Sequence, residues 1–207
     1  MSKVKICGLK RPDDIEYVNR VRPNFIGFVF APSKRQVTVE QAASLKALLD
    51  PAIKAVGVFV NSPVEQVAAI AEAGIIDMIQ LHGDEDAAYA LGLRELTKAP
   101  IIKAVRVKDV ESILAVAAYP CDYYLFDTYT PGQYGGSGKR FDLSILAGVE
   151  TKRPYFVAGG LDPVNVGQVV DKEWPFAVDV SGGVETDGVK DFAKIQAFVA
   201  KVRERSL

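Results

Sequence analysis

Eight short apolar runs, separated by longer stretches of helical periodicity or loop, constrain the fold of this 207-residue chain more than any other feature. The runs cover residues 4–7, 25–30, 55–60, 78–81, 101–105, 123–126, 155–158 and 177–180. Each has the length of a strand. Their β-branched and aromatic residues are nearly continuous, as in strands covered on both faces. Between them Phe192, Ile195, Val199 and Val202 form one helical stripe, and Val110, Ile113, Leu114 and Ala117 form another. Ser62-Pro63-Val64-Glu65 reads as an N-cap, a proline in the first helical position and a capping-box glutamate. Asp162-Pro163 reads as a second helix start, and Thr38 with Gln41 as a third. A helix before Phe141 is missing. Residues 127–140 read instead as a long loop carrying Gly132, Gly135, Gly136, Ser137 and Gly138.

Strand followed by helix through eight units is the pattern of an α/β protein of the (β/α)8 TIM barrel type. The alternative is an open doubly wound sheet, which wants a glycine fingerprint after its first strand. Here Cys7-Gly8-Leu9-Lys10 follows instead. No linker or low-complexity segment divides the chain, so residues 1–207 are expected to form a single barrel domain. A domain of this size buries roughly 70% of the surface of its unfolded chain, enough for a core without metal or disulfide staples.

Composition narrows the function classes. With 25 basic and 26 acidic residues the formal charge is −1, which argues against nucleic acid or an anionic membrane as partner. No apolar run reaches the ~18 residues of a membrane span. The start, Met-Ser-Lys-Val-Lys-Ile-Cys-Gly, has no signal-peptide pattern, so a cytoplasmic location is expected. Two cysteines, Cys7 and Cys121, make no disulfide framework, and they fall at opposite ends of their strands, ~17–20 Å apart. Cys121 is therefore read as structural. The lone histidine, His82, excludes a site built on two imidazoles.

Active sites of this fold lie at the carboxyl ends of the strands and in the loops after them. That places Cys7, Arg35, His82, Arg106, Asp127, Gly159-Gly160 and Asp179 with Ser181-Gly182-Gly183 under inspection. A free cysteine is ordinarily a small buried hydrophobe. At this end of a barrel, however, Cys7 can act as a base if Lys5, Lys10 or Lys103 approaches and lowers its pKa. Asp127 ends a strongly apolar strand, where desolvation raises a carboxyl pKa and suits a general acid. Gly159-Gly160 and Ser181-Gly182-Gly183 follow the seventh and eighth strands, the recurrent phosphate site of the fold. Glycine there lets backbone N–H groups close on an anion. Arg35 is by default a solvated loop residue, but its guanidinium suits bidentate capture of a carboxylate. His82 reads as a polar wall of the site, and Arg106 receives no role.

These residues together resemble the phosphoribosylanthranilate isomerase family of tryptophan biosynthesis. The resemblance rests on Lys5-Ile6-Cys7-Gly8, Gln80-Leu81-His82-Gly83, the run from Asp127 to Gly132 and the run from Tyr134 to Asp142. Ala158-Gly159-Gly160-Leu161 and the run from Asp179 to Glu185 complete it, in order across the chain. One departure is Ser181-Gly182-Gly183, where the family more often reads Ser-Ser-Gly; a hydroxyl is lost while the backbone donors remain. Lys10, where the family often has threonine, is a second.

The resemblance implies an Amadori rearrangement without cofactor or metal. N-(5-phosphoribosyl)anthranilate would be converted to its open-chain 1-deoxyribulose 5-phosphate. Asp127 would be the general acid and Cys7 the general base. Arg35 would hold the anthranilate carboxylate, His82 and Asp179 would line the substrate, and Gly159, Gly160, Ser181, Gly182 and Gly183 would bind the phosphate. Monomer and homodimer both stay open. A metal-dependent pentulose-phosphate epimerase would need more than one histidine. The related isomerase of histidine biosynthesis uses an aspartate where this chain has Cys7. A phosphate-ligand sensor that has lost turnover is the non-enzymatic alternative.

Overall fold

Side chains along a strand point alternately to its two faces, so a closed sheet sorts its apolar residues into an inner and an outer core. The computed structural model describes residues 1–128, 145 and 151–205. The first half comprises β1 (Lys3–Cys7), α1 (Pro12–Val21), β2 (Phe25–Val29), α2 (Val39–Leu48), β3 (Lys54–Phe59), α3 (Val64–Glu72), β4 (Met78–Leu81) and α4 (Ala87–Leu96). It continues with β5 (Ile101–Val107), α5 (Val110–Leu114), β6 (Tyr123–Thr128), β7 (Tyr155–Val157), α6 (Val166–Glu173) and β8 (Ala177–Val180). Two short strands, β9 (Glu185–Thr186) and β10 (Val189–Lys190), precede α7 (Phe192–Glu204). Strands β1 to β8 pair in chain order and close into a barrel. Every neighbouring pair is parallel, and β8 meets β1 with Asp179 opposite Lys5.

The inner core is a layer of Phe25, Val56, Met78, Ile102, Leu125, Phe156 and Ala177, with Phe25 and Phe156 rings 5.5 Å apart. The outer core packs the other strand faces against the helices, for example Ile6, Ile26 and Val178 with Ile15, Ile195 and Phe198. Two residues beyond the inner layer the inward positions change character. Gln80 follows Met78, Asp127 follows Leu125 and Asp179 follows Ala177. The barrel is therefore apolar at one end of its interior and polar at the other.

Local capping explains where helices begin, and where the sequence misleads. Thr38 and Gln41 form the expected capping box of α2. Asp162-Pro163 does not open α6. The Asp162 carboxylate instead accepts from the N–H groups of Val164 and Asn165, closing a turn, and the helix starts at Val166. Pro63 stays extended and takes the N-cap position of α3, so Ser62 makes no cap. Helix α5 stops at Leu114, short of Ala117: the next turn tightens to i→i−3 bonds, from the Val116 N–H to the Ile113 carbonyl and from the Ala117 N–H to the Leu114 carbonyl. From residue 129 onward, the long glycine-rich loop and the missing helix before Phe141 lie outside the described residues.

Candidate active site

At the carboxyl end of the barrel a cavity of ≈ 670 Å³ opens, lined from β1 by Cys7, from β4 by Gln80 and the following His82, from β6 by Asp127 and from β8 by Asp179. Gly159, Gly160, Ser181, Gly182, Gly183 and Arg35 contribute from the loops. All ten residues singled out for binding or catalysis thus face one space. Arg106 lies within β5, paired with Asp84.

Cys7 and Lys5 share the inward face of β1. The wholly buried Lys5 Nζ donates to Asp179 Oδ2 and to Gln80 Oε1, each at 2.9 Å. Burial disfavours its charge, but the Asp179 carboxylate, with Cys7, outweighs that and holds the ammonium above its ordinary pKa. For Cys7 the balance is reversed. Burial pushes the thiol up, Lys5 opposes, Asp179 adds to the rise, and Lys190 opposes. Lys5 thus meets the condition of approaching and lowers the thiol pKa, but desolvation outweighs it. The other two candidate lysines do not reach the thiol. Lys10 donates to the Lys34 carbonyl, and Lys103 to the Gly83 carbonyl and Glu85. Room for the sulfur comes from Gly27 on β2: a Cβ there would stand 2.7 Å from Cys7 Sγ.

Across the cavity Asp127 is buried at the end of β6. Its Oδ1 accepts from the Thr128 N–H at 2.8 Å, and its Oδ2 lies 3.4 Å from His82 Nε2. His82 Nδ1 is 2.6 Å from Gln80 Nε2. Among the described residues, two buried side-chain atoms have no hydrogen-bond partner, His82 Nε2 and Asp179 Oδ1. Both belong to cavity-lining residues.

Arg35 is already paired. Its Nε and Nη2 donate to the two oxygens of Glu185, each at 2.7 Å, and Lys190 Nζ donates to the same carboxylate at 2.6 Å. Burial would raise the Glu185 pKa, but these two cations hold it down at about 2. The β9–β10 hairpin supplies both Glu185 and Lys190, and Lys190 also bonds the Ser181 carbonyl at 3.0 Å. The hairpin thus fixes both Arg35 and the loop after β8. Ser181 Oγ in turn donates to the Cys7 carbonyl.

The two glycine pairs are shaped differently. Gly159 and Gly160 have φ of 93° and 61°, left-handed values that admit glycine readily, and Asn165 Nδ2 holds the Gly160 carbonyl at 2.8 Å. Gly182 and Gly183 open a 3₁₀ turn, whose first N–H groups have no partner within the turn. A Cβ on Gly183 would strike the Leu161 carbonyl, so the loops after β7 and β8 touch backbone to backbone. Among the described residues no group of three or more His, Cys, Asp or Glu could hold a metal ion, and no helix is long and apolar enough to cross a membrane.

Sequence comparison decides the family: residues 4–201 match the N-(5'phosphoribosyl)anthranilate (PRA) isomerase family. This chain belongs to the phosphoribosylanthranilate isomerases. A relative of that name from Thermoanaerobacter pseudethanolicus is 48% identical over 203 residues, covering 98% of each chain. The crystal structure of the phosphoribosyl anthranilate isomerase from Thermotoga maritima superposes with a TM-score of 0.90 at 36% identity, covering 99% of this chain and 100% of that one. A third is a phosphoribosyl anthranilate isomerase in complex with reduced 1-(o-carboxyphenylamino)-1-deoxyribulose 5-phosphate. It has a TM-score of 0.85 and 32% identity, and covers 99% of this chain and 100% of that one. The activity that goes with the family is isomerisation of N-(5'-phosphoribosyl)anthranilate, a step of tryptophan biosynthesis.

Sequence reasoning named the ends of this site and missed its connections. Gln80, Glu185, Lys190 and Asn165 were not singled out. For the hairpin a signal existed, since Asp187-Gly188 is a strong two-residue turn and both residues adopt positive φ.

Proposed function

We propose that Asp127 and Cys7 divide the Amadori rearrangement between them as acid and base. Asp127 protonates the furanose ring oxygen; the ring C–O bond breaks and the anilino nitrogen lone pair forms the C=N bond of an open-chain iminium. Cys7, once it has given up its own proton to become the thiolate that Lys5 and Lys190 favour against burial, removes the proton from C2. The C–H electrons form the C1–C2 double bond and neutralise the nitrogen, giving an enolamine. Loss of the enol proton and protonation of C1 give the ketone. One proton donor and one acceptor suffice for this sequence, with no redox change.

The observation that carries the reading is that Cys7 and Asp127, on β1 and β6, face one cavity that the glycine loops after β7 and β8 close at its rim. In that arrangement the phosphate rests against the N–H groups of Gly160, Gly182 and Gly183, with Gly159 and Ser181 shaping the loops. Anchoring remote from the reacting carbon supplies orientation. Asp179 Oδ1 is a free acceptor for a sugar hydroxyl, beside the thiol that abstracts the proton. Arg35 reaches the anthranilate carboxylate while Glu185 holds it in place. The substrate is thus a small phosphorylated sugar-anthranilate, used without cofactor or metal. The chain works in the cytoplasm as one domain, as a monomer or a homodimer.

The test is turnover of N-(5'-phosphoribosyl)anthranilate, followed by anthranilate fluorescence, in the presence of excess EDTA. Full activity is expected. Replacing Cys7 by alanine lowers kcat by roughly 10²- to 10⁴-fold with little change in KM. Loss of turnover on chelation, or an unchanged kcat in Cys7→Ala, contradicts the reading.

A further inference from the structure

We propose that Lys5 and Gln80 are positioning residues that fix which nitrogen of His82 carries its hydrogen, and through it orient the carboxyl of Asp127. This rests on the reading of Asp127 as the acid. The direction of the chain follows from what each group can donate. An ammonium has no acceptor, so the Gln80 atom 2.9 Å from Lys5 Nζ must be the carbonyl Oε1. That turns the Gln80 amide nitrogen toward His82, 2.6 Å from Nδ1. An amide nitrogen only donates, so Nδ1 accepts and the ring hydrogen sits on Nε2. Nε2 then lies 3.4 Å from Asp127 Oδ2, close enough to bond once either ring or carboxyl shifts slightly, while Oδ1 is held by the Thr128 N–H. Donation therefore runs one way from β1 to β4, and it leaves the partnerless Nε2–H of His82 as the group nearest the Asp127 carboxylate on β6.

Every member is buried: Lys5 is 0% exposed, Gln80 1%, Asp127 6% and His82 9%. Folding does not require such a chain, since apolar side chains fill the interior one layer away. A buried charge is costly unless its donors are used, and Asp179 alone would neutralise Lys5. The second bond from Lys5, to Gln80, adds direction, because it leaves the amide one orientation. The result matters at Asp127. An N–H aimed at Oδ2 stabilises the carboxylate that remains once the proton has left for the substrate. A lone pair in its place would repel that carboxylate and turn the acid away from the ring oxygen.

The single histidine makes this readable, because a protein labelled with ¹⁵N only in histidine rings gives one imidazole. In the intact protein Nε2 is expected to show the protonated, pyrrole-type resonance and Nδ1 the unprotonated, pyridine-type one. Gln80→Glu keeps the shape and the bond to Lys5 but replaces the donor with an acceptor. It is expected to place a proton on Nδ1 and to lower kcat by roughly 10- to 100-fold with KM little changed. A proton on Nδ1 in the unaltered protein overturns the proposal. So does a Gln80→Glu ring identical to the parent's, or an unchanged kcat once the hydrogen has moved. A normal kcat in Asp127→Asn would instead remove the acid assignment and leave the ¹⁵N pattern as described, so the two failures are distinguishable.

Discussion

Two layers of one barrel interior, a single side-chain step apart on the same strands, are held together by opposite physics. In the lower layer Phe25, Met78, Leu125, Phe156 and Ala177 bury apolar area against one another. In the upper layer, two residues further on, Gly27 and Ala158 leave space, while Gln80, Asp127 and Asp179 make ionic and hydrogen-bonded contacts. Area is non-directional and tolerates exchange of one hydrophobe for another. A buried charge network is directional and fails when one partner is removed. The lower layer therefore sets how stable the barrel is, and the upper layer sets what it does. Keeping them apart lets the proposed acid and base sit in positions that contribute little to the apolar core.

Substitutions sharpen this contrast by striking one layer at a time. Phe156→Ala opens the lower layer and is expected to cost about 3–5 kcal/mol of stability in denaturant unfolding. The kcat and KM of the protein that remains folded should be unchanged; a large fall in kcat would show that the layers are coupled. Gly27→Ala acts at the boundary. Its new Cβ meets the Cys7 sulfur at 2.7 Å, so the thiol must shift, and kcat should fall roughly 10- to 100-fold. A normal kcat would mean that the sulfur's position is immaterial.

The smallest effect is expected outside both layers, at the clamp on Arg35. Glu185 is held at about 2 against an ordinary 4.5, so its pairing stabilises the folded state fully above pH 4.5. That contribution disappears as the pH falls toward 2. The Tm gap between the parent and Glu185→Gln should accordingly be present at neutral pH and close across that acidic window. A gap that widens on acidification contradicts the pairing.

The fold was legible because barrel strands are buried on both faces and so appear as unbroken apolar runs. Residues 78–81 and 177–180 were bounded correctly, while β5 and β6 run on through Arg106-Val107 and Asp127-Thr128. There a polar residue pairs across the sheet and continues the strand. The members of the site were legible from their places at strand ends. Their partners were not, since contacts such as Lys5 with Gln80 or Arg35 with Glu185 span 75 and 150 residues. Such pairs follow from strand register and barrel closure, which local pattern does not contain. The direction of the Cys7 pKa is illegible in sequence for the same reason. Counting nearby lysines in sequence gives charge but not burial, and burial decides the direction.

The central claim is that Asp127, held at the polar end of the barrel, supplies the proton that opens the sugar ring. The most direct test is the steady-state kcat of Asp127→Asn at saturating N-(5'-phosphoribosyl)anthranilate, with the fold verified by circular dichroism. A fall of roughly 10²- to 10⁴-fold at little-changed KM is predicted. A kcat equal to the parent's in a correctly folded variant would contradict it.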